Sequence, residues 1–155
     1  MKLPGMIDLV DPLEKLLAEH ECQRLLVEFI RRLDLGDPSS VAELFAPDGI
    51  WEWPGGSRLI RGREELRTYF GSRPADRMSR RLCTNVLIDI ESPTRATGTS
   101  YVVTYRVDGY QGEMIPPPAP ANVGHYEDTF EHHDGAWLLA RRVTLLPFGA
   151  GTPRL

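Results

Sequence analysis

The chain is poor in lysine, in cysteine and in long apolar runs, and the last two shortages each remove a class of protein. Of its 18 basic residues only Lys2 and Lys15 are lysine. The net charge of -4 and a pI near 5.6, without long runs of one sign, argue against a nucleic-acid partner, which calls for clustered Lys and Arg on a basic domain. The bias toward arginine is read as genomic composition and assigned no function. With two cysteines there is no disulfide framework and no cysteine-based metal spacing. Cys22 falls on the apolar side of an expected helix and Cys83 in an expected strand, so both thiols are expected to be free and buried. No stretch approaches the roughly 20 apolar residues of a membrane span. The segment Met1–Met6 lacks the apolar core and small-residue cleavage site of a secretory leader. A soluble, cytoplasmic protein with no membrane partner is the expectation.

What is present is ordinary for a globular protein, 41% hydrophobic and 26% charged residues in 155, which reads as one domain over residues 1–155. A loose arm is expected over 1–10 and a tail over 148–155. The first helix opens at Asp11-Pro12-Leu13-Glu14, with Asp11 as cap, proline in the first turn and Glu14 three residues on. It runs to about Leu35, with a break expected near His20 where the apolar spacing slips. Leu25, Leu26, Phe29, Ile30 and Leu33 form its inner stripe. Asp34 sits at the edge of that stripe, placed either to lean over a pocket or to face water.

Gly36 stops this helix, and Asp37-Pro38-Ser39-Ser40 opens a short second one, followed by a turn at Pro47-Asp48-Gly49. Ile50-Trp51-Glu52-Trp53 reads as a strand with both indoles on one face, as core packing or as a cavity wall. After an extended piece at 59–62, a third helix from about Arg63 to Gly71 packs as a flank. Long strands follow, at 80–91 and 95–107 around a Ser92-Pro93-Thr94 turn, and at 123–133 and 136–147 around His133-Asp134-Gly135. Tyr101 and Tyr105 share one face of the second of these; Tyr126 and His125 lie on opposite faces of the third. The loop between, with Ile115-Pro116-Pro117-Pro118-Ala119-Pro120, is either a cover for a site or a stiff excursion. Helices first and strands last make the class α+β, helices on one side of an antiparallel sheet.

Three groups of residues resemble the SnoaL-like group of the nuclear transport factor 2-like superfamily: Leu33-Asp34-Leu35-Gly36-Asp37 before Val41-Ala42-Glu43-Leu44-Phe45-Ala46-Pro47-Asp48-Gly49, the Thr84-Asn85-Val86 step, and Gly124-His125-Tyr126-Glu127-Asp128 leading to Asp134-Gly135-Ala136-Trp137. The resemblance implies a cone-shaped domain, a strongly curved sheet around a deep apolar pocket closed by the N-terminal helices. It implies a cofactor-independent cyclase, isomerase or dehydratase acting by proton transfer on an apolar oxygenated small molecule (polyketide, terpenoid or steroid-like) in secondary metabolism, with no metal, and a homodimer formed through the sheet. In the dehydratase-like branch an Asp at the end of the first helix pairs with a His four residues before the Thr-Asn step. Asp34 matches the first; Arg81 stands at the second. Arginine does not accept a proton at neutral pH but holds an enolate or carboxylate by charge-assisted hydrogen bonds.

The candidate catalytic residues are therefore Asp34 as acid or base, His125 as its partner or else a sheet-edge histidine, and Arg81 as oxyanion stabiliser. Phe29, Trp51 and Trp53 are candidates to shape the cavity, and Tyr101, Tyr105 and Tyr126 to donate to substrate oxygens. Arg142 is either a substrate anchor or the structural partner of Asp128, the pairing being preferred because Asp128 would otherwise be a lone buried charge. The competing reading is a non-catalytic small-molecule-binding or dimeric interaction domain of the same fold, for which the missing histidine is the main argument.

Overall fold

The structure, a computed structural model, describes residues 10–149 and 151–155; the arm expected over 1–10 falls, except for Val10, outside them. Helix α1 spans Pro12–Leu35, capped by Asp11, whose carboxylate accepts from the backbone N–H of Leu13 at 2.9 Å and of Glu14 at 3.3 Å. It has no break at His20. Leu13, Leu16 and Leu17 are exposed and burial begins at Ala18, so the slip in spacing marks where packing starts. From there Ala18, Cys22, Leu25, Leu26, Phe29 and Leu33 enter the core.

The second helix is a 3-10 stretch, Pro38–Leu44, capped by Asp37. Strand β1, Phe45–Trp53, begins well before the expected Ile50; the supposed turn at Pro47-Asp48-Gly49 is an irregularity within it, where its register against the neighbouring strand shifts. A 3-10 turn at Pro54–Gly56 leads to β2, Arg58–Arg61, and then to α2, Arg63–Gly71. The four long strands are β3, Met78–Ser92, β4, Arg95–Val107, β5, Asn122–His133, and β6, Ala136–Gly149. The β5–β6 turn has positive φ at both Asp134 and Gly135, the backbone that lets a two-residue turn follow the strand twist.

The sheet order is β2-β1-β6-β5-β4-β3. All neighbours are antiparallel except β1 and β6, which run parallel, so the sheet is mixed and not purely antiparallel as expected. The expectation came from the hairpins, where a short turn forces antiparallel pairing. No turn joins β1 to β6, and α2 with the long strands separates them in sequence. Helices α1 and α2 and the 3-10 stretch cover one face of this curved, open sheet. Phe29 is the hub of the core between them, its ring edge-on to Phe45 at 6.3 Å, Phe70 at 5.7 Å and Tyr126 at 6.1 Å.

Candidate active site

Helix α1 ends where β3 begins its course along the sheet, and this brings Asp34 onto Ser79 and Arg81. Within β3, Ser79 and Arg81 point to the covered face while Arg80 and Leu82 point away. The Ser79 hydroxyl donates to Asp34 Oδ1 at 2.7 Å, and the backbone N–H of Arg81 donates to Oδ2 at 2.7 Å. Arg81 Nη1 donates both to Asp34 Oδ1 and to Ser79 Oγ, the latter at 3.0 Å. Each side chain of the Asp34–Arg81 pair is only 4% exposed. Asp34 thus leans inward, and its two oxygens meet three donors. Arg81 Nε and Nη2 make no hydrogen bond among the described residues.

Arg81 forms part of the wall of a cavity of about 750 Å³, a size suited to a small-molecule ligand. Phe29, Trp51, Trp53, Tyr69, Phe70 and Tyr126 give this cavity an aromatic lining. Trp51 stacks on Tyr69 at 5.1 Å between centroids and meets Phe70 edge-on at 5.6 Å. The Trp53 ring lies against Gly56, at a place where any Cβ would collide with it, so glycine in the turn is what lets the indole fold back. The Tyr126 phenol is buried at the same wall, and burial is the main reason its pKa is raised; it stays a neutral O–H donor at neutral pH. The Thr144 hydroxyl is also buried in the wall without a hydrogen-bond partner among the described residues.

The remaining expected site residues lie elsewhere. Strand alternation puts Tyr126 inside and His125 on the outer face, where it pairs across strands with Tyr101 and its Nε2 approaches Glu127 Oε1 at 3.2 Å. Tyr101 and Tyr105 share that outer face, and neither they nor His125 line the cavity. Arg142 is fully buried behind the cavity wall: Nε and Nη2 each donate to an oxygen of Asp128 at 2.8 Å, and its guanidinium lies 4.4 Å from the Phe29 ring centre and 3.9 Å from that of Tyr126. The preferred structural pairing with Asp128 is the one observed. Cys22 is buried and its thiol is pushed up to about 12, chiefly by burial, which makes it inert; Cys83 is free but only half-buried. Among the described residues no three His, Cys, Asp or Glu side chains gather as a metal site would require.

Other lining residues escaped the sequence reading. Helix α2 is not a mere flank, because Tyr69 and Phe70 on its last turn, followed by Ser72 and Arg73, form one wall. From the expected C-terminal tail, Gly149, Gly151 and Thr152 line the cavity, Asp108 and Arg154 form a bridge, and Arg106 Nε donates to Thr152 Oγ1 at 2.6 Å. Of the loop before β5, Ala121 contributes to the wall and the prolines at 116–120 do not.

Comparison with known proteins agrees with this fold. No curated protein sequence matches the chain significantly. Among solved structures, a single-residue variant of Rv3472, a protein of unknown function from Mycobacterium tuberculosis, is 26% identical with a TM-score of 0.73 over 88% of this chain and 76% of its own. A putative scytalone dehydratase from Novosphingobium aromaticivorans is 21% identical, TM-score 0.72, over 92% and 97% of the two chains. LinA is 18% identical, TM-score 0.74, over 88% and 90%. These are likenesses of fold. Among the described residues no helix is long and apolar enough to cross a membrane. The model of the SnoaL-like domain matches residues 14–143, which takes in every element from α1 into β6, and the chain belongs to that family.

Proposed function

We propose that the protein is a cofactor-independent lyase or isomerase that moves a proton on a small organic molecule, giving cyclisation, isomerisation or dehydration. The observation that supports it best is the presentation of Arg81 to an aromatic cavity by a buried carboxylate, with the Tyr126 phenol in the same wall. Asp34 is the base. When a substrate carbonyl enters, Arg81 turns its guanidinium from Asp34 Oδ1 toward the carbonyl oxygen, and Tyr126 donates to the same oxygen. The C–H bond next to the carbonyl breaks, its proton goes to Asp34 and its electron pair into an enolate held by the two donors. Return of the proton at another carbon gives an isomer. Expulsion of a β-hydroxyl, which takes the proton from Asp34 and leaves as water, gives an alkene; attack of the enolate carbon on a second carbonyl, whose oxygen takes that proton, closes a ring. His125 has no part in this route because it faces away from the cavity.

The test is a mass-spectrometric screen of purified protein against hydroxylated polycyclic and polyphenolic compounds, wild type beside Asp34→Asn. Removing a general base lowers turnover by about 10²–10⁴-fold, with circular dichroism showing the variant folded. Unchanged turnover in the folded variant would remove Asp34 from the mechanism. A second reading, a binding protein without chemistry, draws on the three donors already engaged by Asp34; retention of a ligand by both proteins with no product would favour it. Dimerisation through the sheet belongs to the same proposal. Leu82, Leu87 and Tyr101 are exposed together on the outer face of β3 and β4, and light scattering with Leu87→Glu tests whether they are covered by a second copy.

A further inference from the structure

The cavity wall carries charge of one sign. Arg58, Arg73, Arg77, Arg81 and Arg106 line it, and no aspartate, glutamate or histidine does. Two of the five are compensated from behind. Asp34 holds Arg81, and Asp108 holds Arg77 through Nε–Oδ1 at 2.7 Å and Nη2–Oδ2 at 3.0 Å. The other three have no carboxylate partner among the described residues. Arg58 is exposed, its guanidinium 5.9 Å from the Tyr69 ring centre. Arg106 has only the neutral Thr152 hydroxyl. Arg73 is the extreme case: Nη1 is buried and without a hydrogen-bond partner among the described residues, and the guanidinium lies 5.9 Å from the Phe70 ring centre.

Burial, with the fields of Arg81, Arg106 and Arg77 behind it, lowers the pKa of Arg73 to about 9, which still leaves it cationic at neutral pH. Burial and the fields of Arg81 and Arg77 lower that of Arg106. Clustered, partly dehydrated cations without counter-charge raise the free energy of the folded chain, and an entering anion relieves it. Arginine suits this role because its fork meets a carboxylate or a phosphate through paired N–H donors.

We propose that the cavity takes small organic acids, with the oxyanion of the ligand held by Arg73 and Arg106 and its aromatic or apolar body against Trp51, Trp53 and Tyr69. This rests on the small-molecule reading above and assigns its substrate class. The anionic end acts as an anchor, and the uncharged end extends to Arg81 and Tyr126, where the chemistry is placed. Carboxylate and phosphate monoester share the recognition chemistry; the assay distinguishes them.

The experiment is isothermal titration of the full chain with three probes sharing one body: 2-naphthoate, 2-naphthyl phosphate and the neutral 2-naphthamide. At least one of the acids binds about tenfold or more tightly than the amide, the scale of one charge-assisted contact, and added salt narrows the gap. Whichever acid binds tighter names the anion. Arg73→Gln and Arg106→Gln each weaken acid binding about tenfold and leave amide binding unchanged. Arg73→Gln also raises the melting temperature, because it removes an unpaired, half-buried charge; a purely structural arginine would lower it. Equal affinity for acid and amide, indifference of acid binding to both substitutions, or no binding of any probe overturns the proposal. Its failure is separable from that of the catalytic reading. Neutral compounds converted by wild type and not by Asp34→Asn leave the enzyme without an anion site, whereas acids bound through Arg73 and never converted leave the anion site without an enzyme.

Discussion

Two aspartate–arginine pairs are buried on the covered side of the sheet, and they are built to different ends. Asp128 and Arg142 are register partners on β5 and β6, joined by two parallel bonds of 2.8 Å, with neither side chain exposed and the guanidinium against the rings of Phe29 and Tyr126. Asp34 and Arg81 come from a helix end and a distant strand; one Arg81 nitrogen is shared between the carboxylate and Ser79, and the remaining guanidinium donors are uncommitted at a cavity wall. The first arrangement uses its charges to complete a packed core. In the second, the carboxylate fixes where a cation stands and leaves part of it available to a ligand. A buried ion pair by itself therefore says little about function. What distinguishes the two is which donors remain unspent and what they face.

The largest expected effect is on the closed pair. Asp128→Asn leaves the Arg142 cation buried without its counter-charge, and urea denaturation is expected to show a loss of about 3–5 kcal/mol. Replacing both residues together, Asp128→Leu with Arg142→Met, loses less than either single change, since no stranded charge remains. Asp34→Asn, by contrast, is expected to cost under about 2 kcal/mol, because Arg81 keeps an amide partner and has the open cavity beside it. Equal destabilisation by Asp34→Asn and Asp128→Asn would erase the distinction drawn between the pairs.

The next effect is on turnover. Arg81→Lys keeps the charge and loses the fork, so one point donor must serve both Asp34 and the developing oxyanion; kcat falls by about a hundredfold with little change in melting temperature. Arg142→Lys does the reverse, lowering the melting temperature and sparing the kcat of the protein that remains folded. Parallel behaviour of the two lysine variants in both assays would mean that Arg81, too, is a structural residue.

How much of this was legible in the sequence depends on how local the cause was. The end of α1 at Leu35, the bounds of α2 and the two hairpins follow from capping residues, apolar spacing and turn chemistry, all of which act within a few residues. Asp134-Gly135 is the clearest case, a dipeptide whose backbone preference fixes the turn. The parallel β1–β6 pairing has no local cause. Sidedness was the harder loss. Alternation separates Tyr126 from His125, but which faces the cavity is set by helices docking on the sheet. The small set Ala96, Gly98, Ser100 and Val102, buried under those helices while Tyr101 and Tyr105 face out, was the clue to the face of β4. The arginine wall was missed because Arg58, Arg73, Arg77, Arg81 and Arg106 come from an edge strand, a loop and two long strands. Only folding gathers them.

The smallest expected effect belongs to a third pair, Arg77 with Asp108, which sharpens the comparison because it combines features of the other two. It is bidentate like the Asp128 pair, yet it stands at the cavity rim with the two side chains 22% and 16% exposed. The hydrogen bond from Arg77, followed by the charges of Arg77, Arg106 and Arg154 acting against burial, holds the Asp108 carboxyl below the usual carboxylate range. A depressed folded pKa means that the unfolded chain takes up the proton first as pH falls. The stabilisation is therefore complete above the unfolded value of about 4 and disappears as pH drops through the lower folded value. Partial exposure keeps it small: Asp108→Asn is expected to cost under about 1 kcal/mol at neutral pH. Once the pH has fallen below that lowered folded value, the unfolding curves of variant and wild type should converge. A gap that persists undiminished in acid would assign the effect to packing at the junction of Asp108 with residues 153–155, and electrostatics at the rim would then contribute nothing measurable to stability.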